Sequence, residues 1–135
     1  MEQEVQLSGM KILVVEDEPL LAMASADLLA DSGCTVAGPA SSVKQGMQLI
    51  EQEAVDGAIL DINLRGEMVF PLADALAERS IPFVYVTGYS NLLRACNHGR
   101  PFLQKPYTNQ QLLKIVGGWR SQLGSAAASA EPDVR

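Results

Sequence analysis

The sequence predicts an α/β domain with a five-stranded parallel sheet, doubly wound in the (βα)5 flavodoxin-like manner. Three observations carry this. Short apolar runs recur five times along the 135 residues, too short for helices and rich in β-branched residues, as in strands buried on both faces. Segments with helical spacing of apolar residues separate the runs, the alternation expected of a parallel sheet. Four of the runs stop at a charged or hydroxyl residue, namely Glu16, Asp61, Thr87 and Lys105. Right-handed crossovers then leave few topologies, of which the doubly wound order is the simplest.

The elements follow in order. Lys11-Ile12-Leu13-Val14-Val15 is the first strand, cut off by Glu16-Asp17-Glu18. A helix begins near Pro19, carries Leu21, Ala24 and Leu28 on one face, and stops at Gly33, which suits a C-terminal cap. Residues 34–37 are expected to form the second strand, closed by Gly38-Pro39. Ser41 or Ser42 caps a second helix bearing Val43, Met47 and Ile50. Gly57-Ala58-Ile59-Leu60 is the third strand and ends in Asp61; residues 62–67 read as a loop. Pro71 opens a short helix with Leu72, Ala75 and Leu76. Pro82-Phe83-Val84-Tyr85-Val86 is the fourth strand, stopping at Thr87-Gly88. Residues 90–98 form a short weak helix, expected to be the most mobile one and a switch surface. Phe102-Leu103-Gln104 is the fifth strand, ended by Lys105-Pro106, and Thr108 caps a last helix with Leu112, Ile115, Val116 and Trp119 on one face. Residues 1–9 are expected to be flexible, residues 10–120 to form the domain, and residues 121–135, which lack periodicity, to be a disordered tail.

Composition narrows the function. Ten Lys and Arg against 16 Asp and Glu give a net charge of −6, the wrong sign for a nucleic-acid or anionic-membrane surface. No apolar run approaches the ~20 residues of a membrane span, and the start Met1-Glu2-Gln3-Glu4 lacks the basic residues of a signal peptide. A cytoplasmic protein is expected. Cys34 and Cys96 have no metal or redox spacing and read as reduced packing residues. His98 reads as a residue at a helix end, not as a phosphoryl carrier.

Ligands of parallel α/β sheets sit outside the carboxyl ends of the strands. There the sequence places Glu16 and Asp17, Asp61, Thr87 and Lys105. Three carboxylates, a hydroxyl and an ammonium suit a divalent cation and a phosphoryl group. Close carboxylates repel unless a cation joins them, and Mg²⁺ takes oxygen ligands while keeping several waters. Lys105 and Thr87 offer charge and a donor to phosphate. Asp61, central in strand order, is left as the nucleophile.

Val14-Val15-Glu16-Asp17-Glu18-Pro19, Leu60-Asp61-Ile62-Asn63, Thr87-Gly88 and Gln104-Lys105-Pro106 together resemble the four signatures of the receiver domain of two-component response regulators. The resemblance implies that Asp61 accepts phosphate from a sensor histidine kinase or histidine phosphotransfer protein. It implies Mg²⁺ held by Asp17, Asp61, the main-chain carbonyl of Asn63 and, directly or through water, Glu16. Lys105 would pair with the phosphoryl group, the peptide before Pro106 would be cis, and Thr87 would be the switch hydroxyl. Gly88 and Tyr89 would modulate the site, Tyr89 by shielding the phosphate or covering the loop. Phe102 takes the place of the switch aromatic, without a hydroxyl.

More narrowly, Asn63-Leu64-Arg65-Gly66-Glu67 with Phe70-Pro71, and Tyr85-Val86-Thr87-Gly88-Tyr89, resemble the subgroup nicknamed FAT-GUY, often stand-alone receivers associated with sensor kinases of the HWE and related types. Here Tyr85-Val86 replaces the Phe-Ala of the nickname. With only a tail after Trp119, output is expected through contact with a downstream protein or through phosphate relay, and enzyme activity is expected only as self-phosphorylation and slow self-dephosphorylation. Two rivals stand beside this reading. A Mg²⁺-dependent phosphohydrolase with an aspartyl nucleophile would carry a second acid two residues later, where Asn63 stands. A pseudo-receiver that only binds partners would not need the full acid, threonine and lysine set.

Overall fold

The computed structural model describes residues 7–88 and 101–128. Five parallel strands form the central sheet: β1 (Lys11–Val15), β2 (Thr35–Ala40), β3 (Gly57–Asp61), β6 (Phe83–Thr87) and β7 (Phe102–Gln104), in the spatial order β2-β1-β3-β6-β7. This is the doubly wound order expected. Described helices are α1 (Pro19–Asp31), α2 (Val43–Gln52), α3 (Phe70–Glu78) and α4 (Asn109–Ala128). The 90–98 helix expected from the sequence, with Tyr89, Cys96 and His98, lies outside the described residues.

Because side chains alternate across a strand, each central strand feeds two cores. Leu13, Val15, Leu60, Phe83 and Tyr85 pack beneath α2 and α3 with Leu72 and Leu76. Ile12, Val14, Ile59, Val84 and Val86 face the other way, with Leu29, Leu112, Val116 and Trp119. Burial on both faces explains the unbroken apolar runs.

Capping is local and legible. Ser42 Oγ accepts from the Gln45 N–H at 3.1 Å. Thr108 and Gln111 form a reciprocal capping box, with Thr108 Oγ1 accepting from the Gln111 N–H at 3.1 Å and Gln111 Oε1 from the Thr108 N–H at 2.7 Å. Gly33, at φ +99°, ends α1, and the N–H groups of Gly33 and Cys34 return to the carbonyls of Ala30 and Leu29, a Schellman cap.

The structure corrects the sequence reading at five places. Strand β2 does not stop at Gly38-Pro39 but runs through it to Ala40, with an irregularity in register between Leu13 and Val15; as an edge strand it tolerates the missing proline donor. Residues 63–68 are not a plain loop. They form a small hairpin, β4 (Asn63–Leu64) against β5 (Glu67–Met68), turning through Arg65 and Gly66, both at positive φ. On α1 the buried residues are Ala22 and Leu29, whereas Leu21 and Ala24 are exposed and, with Leu28, line a groove facing the start of α4. Nearly every position of α1 is apolar, so spacing could not single out its inner face. Leu7, expected in a flexible start, is fully buried. Finally, α4 continues to Ala128, past the expected boundary at 120; alanine has the strongest helix propensity, and periodicity is not needed to extend a helix already docked.

Candidate functional site

Strands β1 and β3 lie side by side, pairing Val15 with Leu60. The residues that follow, Glu16 and Asp17 on one and Asp61 on the other, therefore emerge together. One carboxylate oxygen from each of the three lies within 4.8 Å of the others. Glu16 and Asp61 are buried and Asp17 is half-buried. Among the described residues, Glu16, Asp61 and Thr87 are the buried polar or charged side chains, and all stand at this rim.

Lys105 reaches the cluster from the end of β7. Its Nζ lies 3.0 Å from Glu16 Oε1 and 3.4 Å from Asp61 Oδ2. The Lys105 N–H donates to the Thr87 carbonyl at 2.8 Å, which ties the lysine to the end of β6. The peptide between Lys105 and Pro106 is cis. Glu16 Oε2 also accepts the N–H of Glu18 at 3.1 Å, and Asp61 Oδ1 accepts the N–H of Asn63 at 3.3 Å.

The electrostatics follow from crowding. Burial, and then the neighbouring Glu16 carboxylate, push the Asp61 carboxyl up to about 7, against the opposing pull of Lys105 and the Asn63 N–H. Burial by itself would lower Lys105, but hydrogen bonds and charge from Glu16 and Asp61 outweigh it and hold the ammonium above its ordinary value. The cluster thus keeps one carboxyl partly protonated and one lysine firmly charged, the behaviour of oxygen donors without enough positive charge between them. Such a hard, all-oxygen donor set fits a divalent cation such as Mg²⁺.

A cavity of about 480 Å³ opens over Asp61 and is lined also by Asp17, Asn63, Arg65, Gly88 and Lys105. Among the described residues, a Cβ added at Gly88 would meet nothing within 4 Å. Asn63 begins the hairpin, and its Oδ1 accepts the Gly66 N–H at 2.6 Å. The structure therefore brings together Glu16, Asp17, Asp61, Asn63, Thr87, Gly88 and Lys105, all singled out by sequence. Phe102 stands apart, 52% exposed on the edge strand β7. The sequence reading gave Arg65 no role, and its pairing with Asp17, 48 residues earlier, leaves no local signal that could have found it.

The family profile described as the response regulator receiver domain matches residues 12–117. The chain belongs to the response regulator receiver family. Its solved relatives include SdrG from Sphingomonas melonis Fr1, 41% identical, with a TM-score of 0.72 over 82% of this chain and 96% of that one. A response regulator receiver protein from Sinorhizobium medicae is 27% identical, with a TM-score of 0.75 over 85% of this receiver and 97% of the other chain. Among curated proteins, the transcriptional regulatory protein PdtaR of Mycobacterium tuberculosis is 26% identical over 78% of this chain and 54% of its own length. The sensory transduction protein LytT of Enterococcus faecalis is 27% identical over 87% of this chain and 50% of its own. The receiver thus spans about half the length of the curated relatives it matches. Among the described residues, no helix is long and apolar enough to cross a membrane.

Proposed function

We propose that this receiver is a phosphorylation switch in which Asp61 accepts a phosphoryl group from a phosphohistidine of a sensor kinase or phosphotransfer protein. The observation that carries the reading is the convergence of Glu16, Asp17 and Asp61 within 4.8 Å, with Lys105 at 3.4 Å from Asp61. An Asp61 oxygen attacks phosphorus and forms the new O–P bond, while the N–P bond of the donor breaks and the imidazole leaves with the electron pair and takes up a proton. Glu16, Asp17, Asp61 and the Asn63 carbonyl would hold Mg²⁺, which when bound offsets the charge gathering on the phosphoryl oxygens.

The remaining roles rest on this chain's own groups. Lys105 is held by two acids before reaction and, as Asp61 becomes an acyl phosphate, a mixed anhydride, keeps a positive charge beside the new oxygens. Thr87, last residue of β6, is the hydroxyl that would move toward them. Gly88, Tyr89 and Pro106 are the residues that would modulate the site. Phe102, already outside the core, is the candidate aromatic through which the change would reach a downstream protein. On this reading the chain would be a cytoplasmic signalling acceptor and not an enzyme acting on a separate substrate.

Incubation with Mg²⁺ and acetyl phosphate, followed by intact mass measurement, tests this. The reading expects one added phosphoryl group, lost in alkali and absent in Asp61→Asn. An adduct that persists in Asp61→Asn would overturn the assignment.

A further inference from the structure

Each acid of the cluster already has a cationic partner in the protein, and the partner differs. Lys105 bridges Glu16 and Asp61. Asp17 is held instead by Arg65, whose Nε lies 3.4 Å from Asp17 Oδ2 and whose guanidinium also reaches the Asp17 carbonyl at 3.5 Å. We propose that Arg65 is a built-in counter-ion that occupies Asp17 in the resting receiver and must be displaced when a divalent cation binds, so that this residue sets the cation affinity. The inference rests on the Mg²⁺ site proposed above.

The hairpin supports it. Arg65 is the first central residue of a two-residue turn and sits at φ 56°, a conformation in which asparagine or glycine is cheaper than a long side chain. The turn is braced from both sides: Gly66 donates to Asn63 Oδ1, and Glu67 Oε1 accepts the Val43 N–H at 3.3 Å. The brace aims the turn at the first strand's acids, 48 residues earlier in the chain. Arginine is costly for this turn as a turn; it supplies the charge that Asp17 otherwise lacks. Its side chain is 76% exposed, so it can swing out into solvent without breaking a packed core.

The exposure also sets the size of the effect. An exposed pair is weak, and its loss should change cation affinity by about two- to fivefold. The test is calorimetric titration of Mg²⁺ into the unphosphorylated full chain, comparing wild type with Arg65→Asn and Arg65→Lys. Asparagine suits the turn while removing the charge, so thermal stability without metal should hold or rise. Arg65→Asn is expected to bind Mg²⁺ about two- to fivefold more tightly, and Arg65→Lys about as wild type. At about 1 M KCl, where exposed charges are screened within ~3 Å, the three proteins should converge. Unchanged or weaker binding by Arg65→Asn, or a difference that survives 1 M salt, would overturn the counter-ion role while leaving the Mg²⁺ site intact. A wild type that binds no Mg²⁺ would remove the site reading and this inference together.

Discussion

The two ends of the central sheet are built on opposite terms. At the amino end the chain is packed to the limit: Gly57 opens β3 directly against the Trp119 indole, and a methyl added there would overlap the ring. Leu7 and Met10 close the same end from below, both buried. At the carboxyl end the sheet instead buries Glu16, Asp61 and Thr87 beside an open cavity. One end supplies stability through apolar packing. The other holds like charges together, which costs stability in the absence of a cation. The receiver tolerates its rim because its base is tight.

Four experiments sharpen or break that contrast, beginning with the largest effect. Trp119→Ala should lower unfolding free energy in urea by about 3–5 kcal/mol, the usual cost of deleting a buried indole, while the folded fraction still binds Mg²⁺. Equal damage to stability and metal binding would mean that the two ends are not separable. Second, Mg²⁺ at about one hundred times its dissociation constant should stabilise the wild type by about 2.7 kcal/mol in the same assay, and Asp61→Asn much less.

Third, without metal, Asp61→Asn should be more stable than wild type at pH 8 by on the order of 1–3 kcal/mol, because it removes one of the crowded carboxylates. The pH dependence fixes the sign. Asp61 rises to about 7 in the folded protein, from about 3.9 in an unfolded chain. Between those values the native state binds the extra proton, so wild-type stability is greatest at the acidic end and declines as pH rises through about 7. Thermal melts of Asp61→Asn should lack this decline; a parallel decline in both proteins would place the titration elsewhere. The smallest effect is expected at the cap of α4. Thr108→Ala should cost about 1 kcal/mol with no change in Mg²⁺ affinity, since among the described residues its hydroxyl bonds the helix start.

Much of this was legible in order along the chain. Strand ends that stop at Glu16, Asp61, Thr87 and Lys105 predict a shared rim because parallel strands point the same way. Caps at Ser42, Thr108 and Gly33 are readable because a cap needs only residues three or four apart. Helix α1 was not readable in the same way. An almost wholly apolar segment has no periodic contrast, and only the neighbouring strands decide that Ala22 and Leu29 face inward. The hairpin at Arg65 hid for a related reason: its strands are two residues long, below any useful period.

By itself, then, the sequence determined the alternation of elements, their direction, and the set of groups gathered at one rim. These follow from local spacing and from the rule that parallel strands share an orientation. Tertiary structure alone decided which cation answers which acid. Lys105 takes Glu16 and Asp61, and Arg65 takes Asp17, because ion pairing depends on distances across 44 to 89 residues of chain, which no local pattern encodes.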